Sequence, residues 1–152
     1  MYQMSQEATD EVAEIIAEAA ELPLYDAAYA LWRQMSRLDR LDGRPTEQEV
    51  RINRTLSREE WWDKYTHERE HAHDGPMFGY LKRAFPRADD SELKQAIIKA
   101  VSFDDDCATY FKWEGDFWDC VVRAVAQAQK HHPYYLDASY RDARNYLAYL
   151  MK

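Results

Sequence analysis

Glycine and proline are scarce in this sequence, with only 4 Gly and 5 Pro among 152 residues. Because these residues supply most chain breaks, the breaks fall at few places, and each of them marks the end of a helix. The sequence also has no internal repeat, no low-complexity tract and no obvious linker, which argues against a repeat architecture. We therefore predict a single helical domain over residues 1–152, an ordinary length for one hydrophobic core.

Cysteine is also scarce, with only 2 residues, and long apolar runs are missing. Cys107 and Cys120 would lie about 20 Å apart on one continuous helix, too far for a disulfide. No apolar run approaches the roughly 20 residues of a membrane span, and the N-terminus lacks the basic-then-apolar pattern of a secretory signal. These absences predict a cytoplasmic protein with two buried thiols and no contact with a membrane.

Several motifs of known enzyme classes are absent as well. The sequence has no Gly-rich phosphate loop, no G-x-S-x-G elbow, no cysteine spacing for zinc and no basic aromatic groove. Nucleotide hydrolysis, serine hydrolysis and direct binding of nucleic acid are therefore not expected.

Basic residues are absent from positions 1–32, although the whole chain has 20 Lys and Arg, 28 Asp and Glu, and a net charge of −8. An acidic surface of this kind repels nucleic acid and anionic lipid, and it attracts a basic surface. We therefore expect the partner to be another protein with a basic surface.

The spacing of apolar residues and of capping patterns predicts the helices. They are expected at about 9–21, 25–41, from Thr46-x-x-Glu49, from Ser57-x-x-Glu60 to about 74, at 77–85, from Asp89, through 107–130, and at 137–151. Residues 108–113 could instead form a short strand. The predicted fold class is all-α, a compact orthogonal or bundle-like array of about six to seven helices that begins with an antiparallel αα-hairpin.

Two rows of charge follow the first two predicted helices. The rows consist of Glu7, Glu11, Glu14, Glu18 and Glu21, and of Arg33, Arg37, Arg40 and Arg44. A tight hairpin would pair Arg33 with Glu14, Arg37 with Glu11 or Asp10, and Arg40 with Glu7. Glu18 and Glu21 have no arginine opposite, so they are candidate partner-binding residues.

A short histidine motif lies near the end of the helix that Ser57 begins. The run from His67 to His71 fits H-E-x-x-H and resembles, over these five residues, the zinc-binding helix of the zincin peptidases. The resemblance implies His67 and His71 as metal ligands and Glu68 as the catalytic general base that activates a zinc-bound water. Helical spacing places both histidines on the polar face, which instead favours a surface pair without a metal role.

Glu114 falls in the middle of an apolar stripe if residues 107–128 form one helix. A carboxylate in the core costs several kcal/mol unless it is paired or bound to a metal, so in that case Glu114 is the candidate third metal ligand. Alternatively, Gly115 breaks the helix and Glu114 is exposed to solvent.

Aromatic residues are abundant, with 5 Trp, 11 Tyr and 5 Phe, and we expect most of them to pack in the core. The last predicted helix, however, places Tyr146 and Tyr149 off its apolar stripe. Exposed tyrosines are enriched at protein interfaces. Tyr146 and Tyr149 are therefore candidate partner-binding residues, either for another protein or for a homodimer through the aromatic C-terminal region.

Two classes of function remain. The favoured one is a small acidic module for protein–protein interaction, a noncatalytic regulator, inhibitor or adaptor that needs no cofactor. The alternative is a metal-dependent hydrolase that uses zinc or another divalent transition metal, with ligands His67, His71 and, conditionally, Glu114, and with Glu68 as the base.

Overall fold

The computed structural model describes residues 5–44 and 57–152. The described ranges contain α1 (Gln6–Ala20), α2 (Leu24–Arg33), α3 (Met35–Leu41), α4 (Arg58–Glu70), a 3₁₀ turn (Ala72–Asp74), α5 (Pro76–Ala84), α6 (Asp90–Tyr110), α7 (Phe117–His131) and α8 (Asp137–Met151). No strand occurs in these ranges, so the all-α prediction is confirmed. The helix predicted from Thr46-x-x-Glu49 begins outside the described residues. None of the described helices is both long and apolar enough to cross a membrane.

Local capping explains where several helices begin. Ser5 precedes α1, and its hydroxyl accepts a hydrogen bond from the Ala8 amide at 3.1 Å, so this helix begins before the predicted residue 9. Ser57 caps α4 as predicted, because its hydroxyl accepts from the Glu60 amide at 3.1 Å. Pro76 occupies the first turn of α5, where its missing amide hydrogen costs nothing.

The core is built around α6, the longest described helix, which contacts α2, α5, α7, α8 and the 3₁₀ turn. Phe103 of α6 lies at its aromatic centre, with ring centroids 5.1 Å from Tyr29, 5.0 Å from Tyr135 and 5.7 Å from Tyr140. All four rings are buried. These edge-to-face and tilted contacts fix how α2, α6 and α8 pack together.

A buried carboxylate of α2 fixes the start of α8. Asp26 is almost fully buried, and its Oδ1 accepts hydrogen bonds from the Leu136 amide at 2.8 Å and from the Ser139 hydroxyl at 2.6 Å. Leu136, the residue that precedes α8, has no side chain able to cap the helix. Asp26 therefore holds the start of α8 from another helix, through the amide of its N-cap residue and a side chain of its first turn.

Two of the predicted helices are divided in the structure. The helix predicted at 25–41 ends at Arg33 and resumes at Met35, with Gln34 between α2 and α3. The helix predicted through 107–130 is interrupted between α6 and α7, where Gly115 adopts a φ of 84°. The described ranges consequently contain eight α-helices, more than the predicted six to seven. α1 and α2 contact each other, and the antiparallel hairpin that they were expected to form remains a prediction.

Candidate functional site

The H-E-x-x-H segment lies in the last turn of α4, a helix without a buried residue. His67 and His71 are exposed one turn apart, and their ring centroids are 4.3 Å apart. Glu68, the predicted general base, forms an ion pair with Lys64 one turn before it. The helix thus brings the two imidazoles together, but it pairs the carboxylate with a lysine.

Glu114 lies in the connection between α6 and α7, and its side chain is exposed. Of the two predicted alternatives, the one in which Gly115 breaks the helix and Glu114 is exposed is therefore correct. Only the backbone of Glu114 is held in place: its carbonyl accepts hydrogen bonds from Arg123 and from the Cys120 thiol, the latter at 3.3 Å. Across residues 5–44 and 57–152, no group of three or more His, Cys, Asp or Glu side chains is arranged to hold a metal ion.

A cleft of about 820 Å³ separates α4 from the rest of the protein. Its wall includes Trp32, Tyr65, His67, His71, Cys107 and Tyr146, but not Glu114. Burial raises the pKa of the Cys107 thiol well above its usual range, so this thiol stays protonated at neutral pH and is a poor nucleophile.

Arg69 joins α4 to α2 and α6 at this cleft. Its guanidinium forms ion pairs with Asp104 at 2.7 Å and with Asp105, and it lies 5.1 Å from the ring of Trp32 and 5.0 Å from that of Tyr65. Burial alone would lower the pKa of Arg69, but the two carboxylates outweigh it and raise that pKa. No local pattern indicates this cluster, because the segments of α2, α4 and α6 that it joins are more than thirty residues apart in the sequence. Arg69 thus contacts side chains of both α2 and α6, so the cluster is a structural joint.

An aromatic patch occupies the surface where α6 gives way to α7. We define it as Phe111, Trp113, Phe117, Trp118 and Val122. The Trp113 ring is centred 5.1 Å from Phe111 and 5.2 Å from Phe117, while Trp118 and Val122 lie one turn apart on α7. Trp113 is 67% exposed and Trp118 is 44% exposed. Both tryptophans are thus exceptions to the expectation that most aromatic residues pack in the core.

The backbone around Gly115 holds this patch at the surface. Gly115 reverses the chain in the left-handed conformation, and the Asp116 carboxylate then caps α7 by accepting a hydrogen bond from the Asp119 amide at 3.3 Å. The carboxylates of Glu114, Asp116 and Asp119 are exposed beside the patch, as are the basic side chains of Lys112 and Arg123. The patch is therefore apolar at its centre and mainly acidic at its edge.

The carboxylates of α1 form a second surface feature. Glu11 pairs with Arg37 of α3, as predicted, with Arg37 Nε 3.0 Å from Glu11 Oε1. Arg33 instead approaches Asp142 of α8 at 3.4 Å, so its predicted pairing with Glu14 is wrong. The remaining glutamates of the row lie exposed and make no ion pair with a described residue; they are Glu7, Glu14, Glu18 and Glu21.

The two candidate tyrosines of α8 lie in different environments. Tyr149 is 75% exposed and adjoins the exposed Leu150, whereas Tyr146 is half-buried in the wall of the cleft. Tyr149 is therefore the more accessible contact for a partner.

Comparisons with known protein families, with curated proteins and with solved structures found no match to this chain.

Proposed function

We propose that this chain is a noncatalytic helical module that binds another protein, as a regulator, inhibitor or adaptor, and that the aromatic patch is its main contact surface. The observation that carries this proposal is the exposure of two tryptophans, Trp113 and Trp118, within six residues at the α6–α7 connection. The partner is expected to present apolar side chains together with Lys or Arg.

The exposed tryptophans of the aromatic patch lie outside the core, although Phe111 and Phe117 pack against its edge. The centre of the core already holds the buried rings of Tyr29, Phe103, Tyr135 and Tyr140. Large exposed apolar groups cost free energy in water, and a contiguous group of them is typical of a binding surface. Tryptophan is also among the residues that contribute most to binding energy at protein interfaces.

Charge indicates what kind of partner fits. The carboxylates beside the aromatic patch and the net charge of −8 favour a basic surface over an acidic one. The exposed Glu18 and Glu21 of α1, and Tyr149 of α8, are proposed as secondary contacts with such a partner. A homodimer through the C-terminal aromatic region would use Tyr149 and Leu150 instead.

The proposal can be tested with a probe peptide, an amphipathic helix with Leu on one face and Arg on the other. Calorimetry should detect binding to the intact chain. Truncating an interface tryptophan commonly costs about 2 kcal/mol or more, so Trp113→Ala and Trp118→Ala should each weaken binding by at least about tenfold.

Trp62→Ala is the matched control, because Trp62 is 60% exposed but lies on another helix, α4, and is not a residue of the aromatic patch. It should leave the affinity unchanged. Equal affinity for a peptide with Glu in place of Arg, or equal losses from all three substitutions, would contradict the proposal. Self-association that sedimentation detects and Tyr149→Ala abolishes would favour the homodimer.

No observation favours the zinc hydrolase in the same way. Its base, Glu68, is paired with Lys64, and its third ligand, Glu114, lies outside the cleft where His67 and His71 are found. The hydrolase hypothesis therefore has two imidazoles, but residues 5–44 and 57–152 do not bring a third ligand and a free base to them.

A further inference from the structure

The two histidines at the end of α4 are placed close together on the surface. His67 and His71 project from successive turns, and their ring centroids are 4.3 Å apart. Both side chains are exposed, and no described residue forms a hydrogen bond with either imidazole. His73 is farther away, with its ring 6.3 Å from that of His71 and its Nε2 3.2 Å from an Asp74 carboxylate oxygen.

The charges around the pair do not oppose a bound cation. Lys64 is paired with Glu68, and Arg69 is paired with two carboxylates, those of Asp104 and Asp105. Asp74 is likewise paired with Lys94 at 3.0 Å, and its pKa is lowered, mainly by the hydrogen bond from that lysine. The two imidazoles are therefore accessible donors in a region whose positive side chains are already paired.

We propose that His67 and His71 form a binding site for one divalent transition metal ion. Imidazole nitrogen suits zinc, copper and nickel, whereas magnesium and calcium prefer oxygen ligands. Two protein ligands leave the remaining coordination positions to water. The site is therefore open and is distinct from the three-ligand site of a catalytic zinc.

Metal binding at this site stabilises the end of α4. The two imidazoles lie side by side only while residues 67–71 are helical, so a metal ion that binds both selects the helical form. α4 contributes no buried residue to the core, and its own packing therefore adds little to its stability. Bound metal should consequently slow amide hydrogen exchange in the last turns of α4.

The first test is calorimetric titration of the tag-free full chain with Zn²⁺ alone. One ion should bind per chain, and His67→Ala and His71→Ala should each lower the affinity by about tenfold or more. His131→Ala, at an exposed histidine in the last turn of α7, is the matched control and should bind as the unaltered chain does. Mg²⁺ should not compete.

Hydrogen exchange supplies an independent measurement. Zn²⁺ should increase protection at 67–71 in the unaltered chain and in His131→Ala, but not in the double variant His67→Ala/His71→Ala. Because both histidines are exposed, these variants should fold as the unaltered chain does. Circular dichroism is the measurement that checks their folding. Absence of zinc binding, competition by Mg²⁺, or undiminished binding by the double variant would overturn the proposal.

Discussion

Asp26 belongs to the acidic first part of the chain, yet its carboxylate is buried and accepts hydrogen bonds from Leu136 and Ser139. Replacing it by Ala would leave the Leu136 amide and the buried Ser139 hydroxyl without this acceptor. We expect Asp26→Ala to lower the free energy of unfolding by about 3 kcal/mol, because hydrogen bonds to a charged group contribute more than neutral ones. Chemical denaturation measures this loss directly.

Two further variants identify the cause of that loss. Asp26→Asn keeps one oxygen acceptor and should be less destabilised than Asp26→Ala. Asp63→Ala removes an exposed carboxylate of α4 and should change stability by less than about 0.5 kcal/mol. If Asp26→Ala were as stable as Asp63→Ala, the link from α2 to α8 would not contribute to stability.

At the residue scale, the sequence predicted contacts between near neighbours better than contacts across the chain. The pair of Arg37 with Glu11 was predicted because both lie in rows with helical spacing. Arg33 was assigned to the same register, but the structure places Asp142 of α8 beside it. No local pattern indicates which distant helix packs against α2, so neither this contact nor the burial of Asp26 could be predicted.

The break between α6 and α7 depends on one backbone conformation. Gly115 has a φ of 84°, while a Cβ added there would meet no atom within 4 Å. Backbone strain alone therefore opposes a side chain. We expect Gly115→Ala to lower the free energy of unfolding by about 1 kcal/mol, the usual cost of the left-handed conformation for a residue with a Cβ. Thermal unfolding followed by circular dichroism checks this value.

Gly79 provides a comparison of opposite sign. It is exposed within α5, and an added Cβ would meet no atom within 4 Å. Ala is the better helix former, so Gly79→Ala should raise the free energy of unfolding by about 0.5–1 kcal/mol. If Gly115→Ala also raised the free energy of unfolding, a side chain at position 115 would not be strained. The break between α6 and α7 would then have another cause.

At the element scale, prediction succeeded where a helix carries its own signals. Ser57 marked the start of α4, and Pro76 lies one residue from the start predicted for α5. The apolar spacing of 107–128 continues through the break, because the aromatic residues around Gly115 fit a helical stripe as well as a surface patch. The sequence allowed either a continuous helix with Glu114 in its apolar stripe or a break at Gly115 that exposes Glu114. The position of the aromatic patch depends on the break.

At the scale of the whole molecule, a net charge of −8 and the local charge at the aromatic patch have different consequences. Net charge attracts any basic protein over a distance that salt shortens to about 10 Å at 0.1 M. Charge beside the aromatic patch acts within the bound complex and sets which partner fits. The two effects can be separated by making the same charge-changing substitution at different positions on the surface.

Glu114→Lys and Glu18→Lys each shift the net charge by the same amount, but Glu114 adjoins Trp113 whereas Glu18 lies on α1. If the aromatic patch is the contact surface, Glu114→Lys should weaken binding of the Leu/Arg peptide severalfold at low salt and reduce its salt dependence. Glu18→Lys should affect both quantities less, because Glu18 belongs only to the proposed secondary contacts. Calorimetric titrations at several NaCl concentrations measure both quantities. The opposite ranking would move the contact surface to α1, since a charge acts most strongly on the complex in which it lies closest to the partner.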